Sequence, residues 1–341
     1  VKSLVLKNEG FLREQPESIA LTDLAPFIEF ADIDEPTPDP GQVKIKVALA
    51  SVNPSDEMFI QGLYGMPRIA GNGAGFEGVG EIVASGGGAI ADSLVGQRVA
   101  FVAAPGKPGS WSEYSIADAT TCIPLIPDIS DTDGAAMIVN PLTALAMLDL
   151  VDKGDTDAFI LSAGASQLCK LMIAAARYTG NKPIAIVRRD EQIEPLIALG
   201  AAHVLNSESD TFDTDLCKII RAEKPRIFLD AVANQTSAGI FNVIPNNSRW
   251  IIYGKLDQEL PTIQQPGQMI FQSKRIEGFW LTRWMIDTPL ADKMQVVQSA
   301  QRRFADGTWN TDVTAILPIA DVMESLPAEL SKPNGKVFIK P

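Results

Sequence analysis

Apolar residues fall into two regimes along the chain. Up to about residue 123 they come in short runs bounded by Gly and Pro. "QVKIKVALASV" (42–52) alternates and then turns continuously apolar, and "GVGEIVASGG" and "GQRVAFVAA" follow at short intervals. Short strands between Gly and Pro turns predict a small, irregular β domain. The pattern changes near 130. Residues 130–151 are helical in their second half, with Asn140-Pro141 as a helix entry, since Pro is tolerated in a first turn. Apolar runs then recur at 158–162, 184–188, 203–206, 226–232 and 249–253, with helix-length segments at 166–179, 190–199, 210–223 and 235–244. Such alternation predicts a parallel sheet with crossover helices. The runs are nearly all apolar, as strands buried on both faces require. A run at 274–281 closes the sheet, "LADKMQVVQSAQRRFADG" reads as an amphipathic helix, and the final "GKVFIKP" is a strand whose host is the N-terminal β domain.

The first strand-to-helix turn of the alternating region carries candidate chemistry. A dinucleotide-binding turn uses Gly-x-Gly-x-x-Gly: one glycine for the tight turn, one for approach to the pyrophosphate, one for close helix packing. Here those positions hold Gly164, Ser166 and Cys169, within Gly164-Ala165-Ser166-Gln167-Leu168-Cys169. Ser166 is small and its hydroxyl can donate to a phosphate. Cys169 sets the helix slightly further from the strand. The helix N-terminus, which attracts anions, is kept. About 20 residues on, where the ribose-selecting residue is expected, the sequence reads "IAIVRRDEQ". Arg188 and Arg189 offer guanidinium forks suited to a 2′-phosphate, which points to NADPH. Asp190 is expected to cap the next helix.

Several segments taken in order, "GQVKIKVALASVNPSD", "GFEGVGEIVASGG", "VGQRVAF", "GSWSEYSI", "NPLTALAML", "LGAAHVLN" and "GKVFI", resemble the medium-chain dehydrogenase/reductase superfamily over nearly the whole length. "GASQLCK" is similar to a variant of that family's nucleotide turn, although Cys169 stands where Gly is usual. The resemblance implies an α/β fold: a Rossmann-type doubly wound parallel sheet at 124–287, plus a GroES-like irregular β domain at 1–123 completed by 288–341. Zinc-dependent relatives place a Cys at Asn53 or a neighbour and a His within Gly75-Phe76-Glu77, where this chain has Phe76. The four-cysteine structural lobe is missing, and His203, the only histidine, reads as a strand-edge residue. No metal is therefore expected.

What remains resembles the zinc-independent quinone reductases and enoyl-thioester reductases. "VNPSDEMFIQGLYG", "IVRRDEQI" and "RIEGFWLTRW" lean toward the second. The resemblance implies that Tyr64 lies near the nicotinamide, as proton donor or oxyanion hydrogen-bond donor; the alternative is packing in a loop between Gly62 and Gly65. It implies that Asn53 and Asn140 orient substrate or nicotinamide amide groups, with Asn140 equally open to a helix-cap role, and that Thr143 contacts the nicotinamide or its ribose. Trp280, with Trp284, is either core or the wall of a substrate pocket. Tyr253-Gly254 is placed at a strand's carboxyl end, where open α/β sheets bind ligands. Lys274-Arg275 is either a phosphate contact or a solvated turn. The implied chemistry is a 1,4-reduction, with hydride moving from NADPH to an activated C=C or quinone. A nucleotide-binding sensor that kept the fold without turnover is the alternative. The family's nucleotide domains pair through the last strand, so a homodimer is expected.

Composition narrows the partners. The chain has 341 residues and a formal charge of −13, which opposes nucleic acid and anionic lipid. No run approaches a membrane span and "VKSLVLKNEGF" lacks a signal-peptide pattern. Three cysteines with no Cys-x-x-Cys pair point to a reducing, cytoplasmic setting.

Overall fold

The computed structural model describes residues 1–13, 19–332 and 335–341. Its strands, in chain order, are β1 Lys2–Leu6, β2 Ile28–Asp32, β3 Gln42–Ser51, β4 Glu77–Ser85, β5 Arg98–Val102, β6 Tyr114–Asp118, β7 Ile123–Pro124, β8 Ala158–Leu161, β9 Lys182–Val187, β10 His203–Asn206, β11 Ile227–Asp230, β12 Arg249–Ile252, β13 Arg275–Gly278, β14 Val313–Pro318 and β15 Lys336–Lys340. The fold is α/β and has two compact units. One comprises Val1–Val139 with Gln301–Pro341, the other Asn140–Ala300.

The first unit is the irregular β domain. Its larger sheet runs β14-β15-β3-β4-β5-β7, and β6 also pairs with β3. β3 bends through register shifts at Lys44/Ile45 and Val47/Leu49, which lets one long strand serve several partners. The C-terminal β15 lies antiparallel to β3, with Phe338 opposite Ser51. The closing strand thus finds the expected host, and it carries Lys336 into this unit's interior.

The second unit is a parallel sheet in the order β10-β9-β8-β11-β12-β13. The chain winds outward from β8 and then resumes on its other side, so the strand order reverses between β8 and β11. All of β8 and β11 is buried, as their unbroken apolar sequence requires. The crossover helices present one apolar stripe: in the helix Phe212–Glu223 the buried residues are Phe212, Leu216 and Ile220, spaced by four.

Boundaries between units differ from the expected 123/124 and 287/288; they fall at 139/140 and 300/301. Hydrogen bonds give the reason. Glu77 accepts the backbone N–H groups of Ile138 and Val139, which ties that segment to β4. Gln301 accepts the N–H of Ile126 and donates to the carbonyl of Pro124. The helix Leu290–Ala305 therefore belongs mostly to the second unit, not to the β domain.

Lys274 is neither a phosphate contact nor a solvated turn residue. It is 2% exposed, and its Nζ donates to the carbonyls of Phe241 and Asn242 and to Gln268 Oε1 at 2.9, 3.1 and 3.0 Å. It satisfies carbonyls of the last turn of the helix Gln235–Val243. Burial pulls its pKa down from 10.5 to about 8. The folded state then holds fewer protons than the unfolded chain between those values, so stability rises with pH across that window. In thermal unfolding, the wild type should gain on Lys274→Met from pH 8 to 10. Parallel pH profiles would mean the amine is not desolvated.

Candidate functional site

The nucleotide turn leaves β8 at Leu161. Ala163 takes a left-handed conformation, φ 48°. Gly164 donates its N–H to the carbonyl of Ile186 at 2.9 Å. A Cβ on Gly164 would stand 2.8 Å from Ala185 Cβ and 3.1 Å from the Ile186 oxygen, so only glycine lets the turn lie against β9. Ser166 is the N-cap of the helix Gln167–Ala176, its Oγ accepting the N–H of Cys169 at 3.3 Å. That bond uses an acceptor lone pair and keeps the hydroxyl hydrogen for another partner.

Cys169 is fully buried. Its Sγ donates to the carbonyl of Ser162 at 3.3 Å and lies 3.5 Å from Tyr253 Oη. Burial raises the pKa of both groups. The sulfur therefore sits on the strand side of the turn, under it, and not over the helix N-terminus. Ala165 and Gln167 are half-buried, and Leu168 is buried, its side chain serving the core. Tyr253 does follow β12, and its hydroxyl lies against Cys169 Sγ, so that hydroxyl serves the turn. Gly254 allows close approach, since a Cβ there would be 2.9 Å from the carbonyl oxygen of Ala231.

β9 delivers the arginine pair just past Val187. Arg188 is exposed. The pKa of Asp257 is lowered first by hydrogen bonds from Glu259 and Asn234 and further by the charge of Arg188. Arg189 is half-buried, its Nε 3.2 Å from Glu191 Oε1. Asp190 is no helix cap: it accepts from Asn206 Nδ2 at 2.8 Å, tying the ends of β9 and β10 together. The helix Ile193–Leu199 starts at Gln192 without a side-chain cap.

Asn53 departs from the expected role. It is 1% exposed, and its Nδ2 donates to Ser51 Oγ and Glu77 Oε1 at 3.0 and 2.9 Å. Its Oδ1 accepts from Lys336 Nζ at 2.5 Å. Both amide hydrogens and the oxygen are committed, so Asn53 is part of the scaffold and presents no donor to a substrate. Asp56 beside it accepts the N–H groups of Asn53 and Phe76, both at 2.8 Å. Its pKa is pushed up to about 7, chiefly by burial, while burial pulls that of Lys336 down. Among the described residues no group of three or more His, Cys, Asp or Glu could hold a metal ion. The cation near Glu77 is the Lys336 ammonium.

Tyr64 follows the helix Pro54–Gln61, which ends on Gly62 at φ 80°. Its ring packs on Phe76 at 5.4 Å between centroids, and Phe76 packs on Phe59 at 4.9 Å. Thus Asp56, by holding the N–H of Phe76, also sets the platform under Tyr64. In the second unit the helix Val139–Asp152 begins before Asn140, which lies inside the first turn and is not its cap; Thr143 is buried at 7% exposure. Trp280 is 38% exposed and is the N-cap residue of the helix Leu281–Asp287. His203 sits on the edge strand β10, with Nε2 3.1 Å from Glu223 Oε1.

Two groups escaped sequence reasoning. One is the Asn53, Asp56, Glu77 and Lys336 network, whose members lie far apart in the chain. The other is Asp230, wholly buried at the end of β11. A lone carboxylate closing the apolar run "IFLD" was its available signal.

Comparison with known proteins agrees with this architecture. Residues 39–128 match the alcohol dehydrogenase GroES-like domain, and residues 168–295 match the zinc-binding dehydrogenase family. The crystal structure of a "putative NADPH:quinone reductase" from Mesorhizobium loti is 52% identical over 100% of this chain and 98% of that one, with a TM-score of 0.96. The mitochondrial enoyl-[acyl-carrier-protein] reductase of Bos taurus is 26% identical over 318 residues, 90% of this chain and 82% of the relative. The Escherichia coli quinone oxidoreductase, crystallised with NADPH, shares the fold with a TM-score of 0.82 at 19% identity over the full length of both chains.

Proposed function

The chain belongs to the medium-chain dehydrogenase/reductase superfamily, in its zinc-independent quinone and enoyl reductase branch, and from that membership we propose that it is an NADPH-dependent reductase of a quinone or an activated C=C bond. The observation that carries the reading is the turn at Gly164. The glycine brings the turn onto β9, Ser166 caps the helix, and the Cys169 sulfur lies beneath. The Cys169 sulfur therefore leaves the helix N-terminus and its dipole to a pyrophosphate. Arg188, exposed past β9, is the group for the 2′-phosphate, with Arg189 beside it. Asn140 and Thr143 remain the candidates for the nicotinamide end. When bound, NADPH supplies the hydride. Tyr64, braced on Phe76, donates a hydrogen bond or proton to the substrate as negative charge develops on its oxygen.

Between the two substrate classes, similarity favours the smaller, since the 52% identical relative is a "putative NADPH:quinone reductase". A small neutral quinone or enone is the first choice; the enoyl-thioester reading rests on the enoyl-[acyl-carrier-protein] reductase relatives. All three cysteines are free, which suits a reducing compartment such as the cytoplasm. No helix of the described residues is long and apolar enough to cross a membrane. β13 is an edge strand with Ile276 exposed, and pairing through it would give a homodimer.

The test is a panel assay following NADPH absorbance with quinones, enones and enoyl thioesters. Oxidation with the first two classes supports the reading. NADPH binding with no substrate reduced would favour a sensor. Arg188→Ala should weaken NADPH by roughly tenfold or more, the worth of a charged hydrogen bond, and leave NADH nearly unchanged. Equal loss for both coenzymes would remove Arg188 from phosphate recognition.

A further inference from the structure

The strand order of the second unit reverses between β8 and β11, and each strand ends there in a loop with a left-handed alanine. Ala163 has φ 48° after β8, and Ala233 has φ 56° after β11. Non-glycine residues rarely take this conformation, and where they do the surroundings must hold them. One side chain reaches both loops. Asp230 is 0% exposed. Its Oδ1 accepts from Ser162 Oγ at 2.5 Å and from the N–H of Val232 at 2.9 Å. Its Oδ2 accepts from Trp250 Nε1 at 2.7 Å and from the N–H of Ala233 at 3.1 Å. Ser162 Oγ in turn accepts the N–H of Ala231 at 2.8 Å, and the Ser162 carbonyl accepts from Cys169 Sγ.

Each of the four hydrogen-bond partners of the carboxylate is a donor. Only a group with two acceptor oxygens satisfies all four, and an amide would turn its NH2 on a pair of them. Buried with no ion-pair partner among the described residues, this carboxylate is costly unless fully hydrogen-bonded. Its bonds lock the backbone of the two loops that flank the strand-order reversal, where ligands of open α/β sheets bind. We propose that Asp230 is a positioning residue for the dinucleotide, fixing through Ser162 the turn that carries Gly164 and Ser166, and directly the segment 231–233. The proposal rests on the NADPH reading above and adds to it a determinant of affinity that touches neither phosphate nor nicotinamide.

Three variants test it, read by fluorescence titration with NADPH, by steady-state kinetics and by thermal unfolding. Ser162→Ala removes the link between carboxylate and turn; its dissociation constant and KM for NADPH should rise roughly tenfold, the worth of one buried hydrogen bond with a stranded partner, while kcat at saturating NADPH stays near wild type. Trp250→Phe removes a donor on the core side; it should lower the melting temperature but leave the NADPH dissociation constant unchanged. Asp230→Asn should do both, and if it fails to fold the first two still decide. Wild type that binds NADPH beside a Ser162→Ala variant that binds it equally well overturns the positioning role alone. So does equal weakening by Trp250→Phe, which would make the network merely structural. Wild type that does not bind NADPH overturns the cofactor reading and this inference with it.

Discussion

Lys336→Met is expected to lower the free energy of unfolding by about 3–5 kcal/mol, the range for removing one partner from a buried charged network. The methionine keeps the length and apolar stem of lysine and deletes the charge. Lys336 Nζ donates to Asn53 Oδ1, and Asn53 Nδ2 donates to Glu77 Oε1, so a single amide relays between ammonium and carboxylate. Without the ammonium, Asn53 Oδ1 loses its donor and the buried carboxylates lose their counter-charge. The Lys336 charge also holds down the pKa of Asp56, which burial has already raised to about 7. Its removal moves that carboxyl further up. A carboxyl with a raised pKa binds more protons folded than unfolded, so stability falls as pH rises through the window from its unfolded to its folded pKa. The variant's window extends higher, and its deficit should therefore grow above pH 7. Adding Glu77→Gln should recover part of the loss: a flipped Asn53 amide can then accept from the new NH2, and neither charge is stranded. Urea unfolding gives the result. A single variant as stable as wild type, or a double variant with strictly additive losses, would show that the relay carries no energy.

The distance between these residues explains why the network was illegible. Asn53 and Lys336 are brought together only because β15 returns to pair with β3, and no local pattern announces that pairing. The family resemblance implied a ligand-facing amide at Asn53; its side chain is instead committed by a strand nearly three hundred residues later. Lys274 illustrates the same limit. Beside Arg275 it reads as half of a solvated basic pair, yet its amine lies against the end of a helix. By contrast the second unit was readable almost element by element, because strands buried on both faces and helices with one apolar stripe are set by local period. The run 226–232 became β11, and the segment 210–223 became the helix Phe212–Glu223. The turn was legible in position, and Gly164 in its purpose. Its chemistry was only half legible: whether Cys169 fills or underlies the phosphate position depends on Tyr253, from another strand. Asp190, Asn140 and Asn53 share one lesson, that a polar residue at an element's start tells where the element begins more surely than which way its side chain turns.

Tyr64→Phe is expected to lower kcat by about 10²-fold, the lower bound for a positioned proton or hydrogen-bond donor, with little change in NADPH affinity or in melting temperature. The substitution deletes one oxygen and keeps the ring. The contact with Phe76, and through it with Phe59, belongs to the ring and survives, so the platform stays in place and stability should hold. The helix leading to Tyr64 ends on Gly62, where a Cβ would stand 2.6 Å from the Arg68 guanidinium carbon and 2.8 Å from the Leu12 nitrogen. Arg68 is itself anchored to the carbonyls of Gly10 and Ile60. The turn that precedes Tyr64 is therefore held by Arg68 independently of the ring's hydroxyl. A 1,4-reduction places negative charge on the substrate oxygen as hydride arrives, and a donor aimed there acts mainly in the transition state, which lowers kcat and kcat/KM together when it is lost. Steady-state kinetics with a quinone or enone at saturating NADPH give the answer. A fall in kcat with an unchanged NADPH dissociation constant places the hydroxyl in the chemical step. Unchanged turnover would reduce Tyr64 to loop packing, and a parallel fall in melting temperature would trace the loss to the platform instead.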